Sequence, residues 1–152
     1  MHKPNHNPML VPLEVIRIAS KVRKQCEQYV SMDSSGYFNE KLACFCAVGS
    51  GALFHALSKG GFKPLFVRGN YLYNGKDNWT QHCWVQLGDA IVDITATQFG
   101  ELPEVLVCSL HDGHYYNLEQ FDQWIEIQVA LQNWDLQRPT KRKAIEILKI
   151  AA

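Results

Sequence analysis

The stretch His82-Cys83-Trp84-Val85-Gln86-Leu87-Gly88-Asp89-Ala90-Ile91-Val92-Asp93-Ile94-Thr95 decides the fold. Two short runs of β-type residues flank Gly88-Asp89, and a two-residue Gly-Asp link between such runs is a hairpin signal. With that turn, Leu87 pairs with Ala90, Val85 with Val92, Trp84 with Asp93 and His82 with Thr95. One face then carries Cys83, Val85, Leu87, Ala90, Val92 and Ile94, all apolar. The other carries His82, Trp84, Gln86, Ile91, Asp93 and Thr95. Asp93 lies diagonal to His82 on that second face, about 7 Å away between Cβ atoms, a gap an imidazole can bridge. A one-residue slip would separate the two and spoil the apolar side. A carboxylate that holds an imidazole by Nδ1–H leaves Nε2 as a base, and such a base calls for a nucleophile.

The preceding chain offers one. Cys46, Ser50, Leu53 and Leu57 repeat at helical offsets, and Gly60-Gly61 ends the run, so a helix is expected over about 45–58. Leu53 and Leu57 must pack inward, which puts Cys46 at the helix start, where the macrodipole favours a thiolate and backbone N–H groups can stabilise an oxyanion. Gly49 and Gly51 weaken the helix, as expected where another backbone or a substrate comes close. The spacing nominates Cys46 as nucleophile, His82 as general base and acid, and Asp93 as the residue that orients the ring.

Working outward, Ile18, Val22, Cys26 and Tyr29 form one stripe of a helix that starts after Pro12, with Cys26 as core filler, and Ser34-Ser35-Gly36 breaks it. Residues 1–9, with Pro4 and Pro8, read as a flexible arm ahead of a single domain over 10–152. Phe62–Tyr73 reads as extended, Asn74-Gly75-Lys76-Asp77-Asn78 as a polar loop, and Glu104–Leu110 as a further strand. Leu118, Phe121, Ile125 and Val129 have helical spacing, yet Ile125–Val129 also alternates like a strand, and both readings stand. Thr140 onward reads as a short basic helix.

Composition bounds the class. The chain has 152 residues, 15 Lys+Arg against 15 Asp+Glu, and 47% hydrophobic residues. A domain of this size buries about two-thirds of the surface its unfolded chain exposes. Balanced charge argues against nucleic-acid and membrane-surface partners, and no stretch approaches the roughly 18 apolar residues of a membrane span. Five cysteines, an odd number without a regular framework, and an N-terminus lacking an apolar core point to a reducing, cytoplasmic address.

His82-Cys-Trp-Val-Gln-Leu with Ile91-Val-Asp-Ile-Thr95 resembles the H-x-W-V…D-x-T block of the transglutaminase-like cysteine-enzyme superfamily. Cys46-Ala-Val-Gly-Ser50, with leucines seven and eleven residues after the cysteine, is similar to its nucleophile helix. The resemblance covers about residues 42–99. It implies an α+β, papain-like (transglutaminase-like) fold in which a nucleophile helix packs on an antiparallel sheet. It also implies chemistry at amide, thioester or ester carbonyls through an acyl-enzyme, without cofactor or metal. Cys46, His82 and Asp93 match the catalytic positions, and Trp84 and Thr95 match supporting ones, with Trp84 expected to wall the site and contact substrate. Cys44 stands where relatives usually have glycine, which leaves a second thiol beside Cys46. No upstream Gln or Asn is assigned to an oxyanion site; Asn39 lies seven residues before Cys46. Gln98, in the polar-aromatic segment after Asp93, is a candidate substrate contact, with a turn-forming role as its alternative.

The expected activity is hydrolysis of peptide or isopeptide bonds in a peptide or protein substrate through a Cys46 thioester. The alternatives are glutamine deamidation or transamidation, a non-catalytic peptide-binding domain, and a structural zinc site built from Cys44-x-Cys46 with His82 or Cys83 and His111-x-x-His114.

Overall fold

The computed structural model describes residues 5–33, 41–43, 45–73, 77–134 and 138–152. Ser34-Ser35-Gly36, Asn39, Cys44 and Asn74-Gly75-Lys76 lie outside the described residues. The rest form an α+β domain of four α-helices and one five-stranded antiparallel sheet. Among the described residues, no helix is long and apolar enough to cross a membrane.

The first helix, α1 (Leu13–Ser31), buries Val15, Ala19, Val22, Cys26 and Val30. This stripe is centred beside the Ile18–Tyr29 line that periodicity suggests, so Ile18 and Tyr29 sit at its half-buried margin. Helix α2 (Cys46–Lys59) is buried over its whole first half, from Cys46 to Phe54. A helix apolar on nearly all sides belongs in a core, and α2 packs against α1, against the terminal helix α4 (Lys141–Leu148) and against the sheet. Thr140 caps α4 by accepting a hydrogen bond from Lys143 N at 3.0 Å.

The strands β1 (Leu65–Leu72), β2 (Trp79–Leu87), β3 (Ala90–Asp93), β4 (Leu106–Ser109) and β5 (Tyr115–Phe121) lie in the order β4-β3-β2-β1-β5. The hairpin has the register its pattern demands, with Val85 opposite Val92 and Leu87 opposite Ala90. A short 3-10 turn (Ala96–Phe99) follows β3. In the ambiguous C-terminal third, Ile125–Val129 is helical, in the roughly two-turn helix α3 (Trp124–Ala130), and not a strand, while Leu118 and Phe121, which share its helical spacing, belong instead to β5.

The sheet separates two cores. Cys83, Val85, Val92 and Ile94 face the helices. Val67, Tyr71, Trp84, Ile91, Phe99, Leu106, Cys108 and Tyr115 make a smaller aromatic-rich cluster. The hairpin face that carries His82 and Asp93 is therefore as buried as the other.

Of the N-terminal stretch expected to be a flexible arm, residues 5–9 are described, and they run along β4. Pro8 bridges Cys108, Ser109 N donates to Asn7 O at 2.9 Å, and Asn7 N donates to Asp112 Oδ2 at 2.8 Å. The segment covers an edge strand whose polar groups would otherwise lack a partner on that side.

Candidate active site

Three elements bring the nominated residues together. Cys46 is the first residue of α2, and the N-cap residue, Phe45, makes no side-chain capping bond. One turn on, Ser50 Oγ donates to Cys83 O at 3.0 Å and ties the helix to β2. Gly49 lets the helix approach closely, because a Cβ there would stand 3.2 Å from both Phe45 Cδ2 and Thr95 Cγ2. The neighbours that come close to Gly49 are therefore side chains, those of Phe45 and Thr95, and not another backbone.

His82 and Asp93 are both fully buried, and His82 Nε2–H donates to Asp93 Oδ2 at 2.7 Å. The expected use of the ring nitrogens is reversed: Asp93 holds Nε2, leaving Nδ1 for the thiol. Reach explains this. Asp93 sits diagonally across the hairpin, so only the far nitrogen of the ring spans the gap, whereas Nδ1 stays near its own strand. Among the described residues, Nδ1 makes no hydrogen bond of formed geometry and is shielded from solvent. Cys46 lies close enough to the ring for each group to shift the titration of the other.

Asp93 is held from several sides. Oδ1 accepts from Thr95 N at 2.9 Å, and Oδ2 accepts from the Tyr115 hydroxyl at 2.7 Å as well as from His82. Burial, the largest influence, works against ionisation. The charge and hydrogen bond of His82, the Thr95 N–H and the Tyr115 hydroxyl together outweigh it, and the carboxyl stays below its usual range. Burial is likewise the largest influence on His82 and disfavours the imidazolium. The charge and hydrogen bond of Asp93, joined by Cys46, reverse the balance and raise the ring to about 10.

The Cys46 thiol is pulled well below its usual range. The hydrogen bond from the Cys83 side chain is the largest cause; burial opposes it, and the hydrogen bonding and charge of His82 add to the lowering. Cys83 is pushed up, by burial first and by Cys46 second. It therefore stays a thiol and donates to the Cys46 sulfur. The arrangement stabilises a thiolate-imidazolium pair backed by a buried carboxylate. Cys46 is buried, with 5% of the residue exposed, while His82 and Asp93 have no exposure.

Trp84 packs beside His82 with ring centroids 5.8 Å apart and is 1% exposed, so it walls the imidazole from within. Gln98 Nε2 donates to Thr95 O at 2.9 Å, across the start of the 3-10 turn. His111 lies exposed with its backbone N–H on Ser109 Oγ.

Several contributors lie beyond the reach of local sequence pattern. Tyr115 comes from β5 to hold Asp93, and Phe99 sets its ring edge-on to His82 at 4.8 Å. Arg23 of α1, 3% exposed, donates to Ile94 O at 2.8 Å and Thr97 Oγ1 at 2.9 Å, which pins the chain just after Asp93. A charged residue within the apolar stripe of α1 is the one signal that could have drawn attention to Arg23.

No protein-family model, curated protein or solved structure matches this chain.

Proposed function

We propose that the chain is a cysteine-dependent acyl-transfer enzyme of papain-like (transglutaminase-like) architecture that hydrolyses peptide or isopeptide bonds. The observation that carries this reading is the buried imidazole with Nε2 bound by Asp93 and Nδ1 left without a formed hydrogen bond beside Cys46.

In this reading the Cys46 thiolate attacks the scissile carbonyl carbon, and the carbonyl π electrons move to oxygen. Collapse of the tetrahedral adduct expels the amine, which takes the proton from His82 Nδ1, and a thioester remains on Cys46. Water then adds to the thioester and gives its proton back to Nδ1, and the carboxylic acid departs as the thiolate is restored. Asp93 keeps the ring oriented and stabilises its charged form throughout.

Labelling by a small haloacetamide across pH, with each modified cysteine assigned by mass spectrometry, tests the pair. Modification is expected first at Cys46, beginning below about pH 7, and is expected to shift toward the ordinary thiol range in His82→Ala. Uniform labelling near pH 8.5, or reaction mainly at Cys44, overturns the assignment.

A further inference from the structure

The turn between β4 and β5 carries Asp112-Gly113-His114, and the covering N-terminal segment brings His6 against it. His6 Nδ1 lies 3.1 Å from Asp112 Oδ2, and His114 Nδ1 lies 2.9 Å from Asp112 Oδ1. One ligand-type atom from each of the three residues falls within 4.8 Å of the other two. We propose that His6, Asp112 and His114 form a site for a divalent transition-metal ion of the zinc class, separate from Cys46, His82 and Asp93.

The spacing suits an ion. Bonds of about 2.0–2.2 Å from Zn²⁺ to nitrogen or oxygen place neighbouring ligand atoms roughly 3.0–3.5 Å apart in tetrahedral or octahedral geometry. Each imidazole nitrogen stands at about that distance from its own carboxylate oxygen, Oδ2 for His6 and Oδ1 for His114, and the three ligand atoms lie within 4.8 Å of one another, so an ion draws them together as it replaces the ring N–H···O bonds. Each incoming metal–nitrogen bond displaces a proton from Nδ1 or selects the tautomer that lacks it.

The surroundings permit that exchange. Asp112 is fixed independently of the rings, by Asn7 N on Oδ2 at 2.8 Å and His114 N on Oδ1 at 2.9 Å. His6 Nε2 lies 3.0 Å from the Tyr71 hydroxyl. A phenol can donate or accept, so Tyr71 serves either His6 tautomer and can hold Nε2–H while Nδ1 binds metal, the usual outer-shell arrangement for a ligating histidine. Side-chain exposure is 5% for His6, 2% for Asp112 and 25% for His114. Desolvated ligands face an entry at His114, where water can complete the coordination. Two imidazoles and one carboxylate favour Zn²⁺, Co²⁺ or Ni²⁺ over the all-oxygen preferences of Ca²⁺ and Mg²⁺. This set differs from the zinc grouping that the sequence suggests, sharing only His114 with it.

Untagged, chelator-treated full-length protein titrated with Co²⁺ and then Zn²⁺ tests the site, by calorimetry and absorption. The expected result is one equivalent bound, weak visible d–d bands without an intense thiolate band in the near ultraviolet, and displacement of Co²⁺ by Zn²⁺. His114→Ala and His6→Ala are each expected to weaken binding by at least about tenfold, while Cys46→Ser leaves it unchanged. Should His6→Ala fail to fold, His114→Ala, altered at the more exposed ligand, carries the comparison. Three results would overturn the proposal: no binding, a thiolate charge-transfer band, or affinity unaltered by loss of either histidine. The three residues would then be a hydrogen-bonded latch for the N-terminal segment and nothing more.

Discussion

Asp93 accepts hydrogen bonds from a ring, a phenol and a backbone amide while fully buried. A carboxylate so held is an ionic partner as much as an orienting group, and the signs of the two shifts set when the pair is worth most. Asp93, with its folded pKa below the unfolded value, contributes stability above about pH 4 and loses it as pH falls through the folded value. His82, raised to about 10, contributes fully below its unfolded value of roughly 6.5 and loses that contribution as pH rises toward 10. Wild type should therefore exceed Asp93→Asn most between about pH 4 and 6.5, by up to about 3–5 kcal/mol. The gap should shrink on the alkaline side. Urea unfolding from pH 4 to 10 checks this, and a pH-independent gap would contradict it. That His82 and Asp93 share a face was legible in residues 82–95, because a two-residue turn and one apolar side fix the register. Which ring nitrogen meets the carboxylate was not, since spacing fixes where side chains start and leaves the rotamer open.

At the scale of elements, close approach governs two places. Gly69 sits where β1 slips register against β5, and a Cβ there would lie 2.1 Å from Tyr116 O and 2.7 Å from Trp84 Cη2. Backbone cannot yield as a flexible side chain does. Gly69→Ala should cost about 1–3 kcal/mol or more and disturb the Trp84 ring that flanks His82. Gly113, whose added Cβ meets nothing within 4 Å, is the matched control; Gly113→Ala should stay within about 0.5 kcal/mol. Denaturant titrations followed by tryptophan fluorescence report both. The helix of Cys46 and the hairpin were readable because each carries its own periodicity. The partnership of Tyr115 with Asp93 was hidden because strand order is a long-range property. Residues 118–129 were ambiguous for a local reason: a strand and a short helix abut there, and each borrows the other's spacing.

For the molecule as a whole, the N-terminal segment joins distant parts. His6 and Asn7 reach Asp112, Tyr71 and Ser109, and so tie the β4 edge to the aromatic core. Deleting residues 1–8 should cost about 2–4 kcal/mol, at roughly 1 kcal/mol for each hydrogen bond lost. It should also speed amide exchange over residues 109–115. If the segment were a free tail, neither the unfolding midpoint nor the exchange pattern would move. Composition revealed the Pro4/Pro8 irregularity of this segment, but nothing within residues 1–9 names the distant turn they meet.

The strand order β4-β3-β2-β1-β5 has a consequence for the nascent chain. On the ribosome the 82–95 hairpin can close as soon as it emerges, and β1 can join it at once. The opposite flank of β1 must wait for Tyr115–Phe121, so a row of main-chain donors and acceptors stays open to strangers through the interval. A pause in translation before Tyr115–Phe121 has left the ribosome would prolong that exposure, whereas a pause after its emergence would find β1 already paired on both flanks.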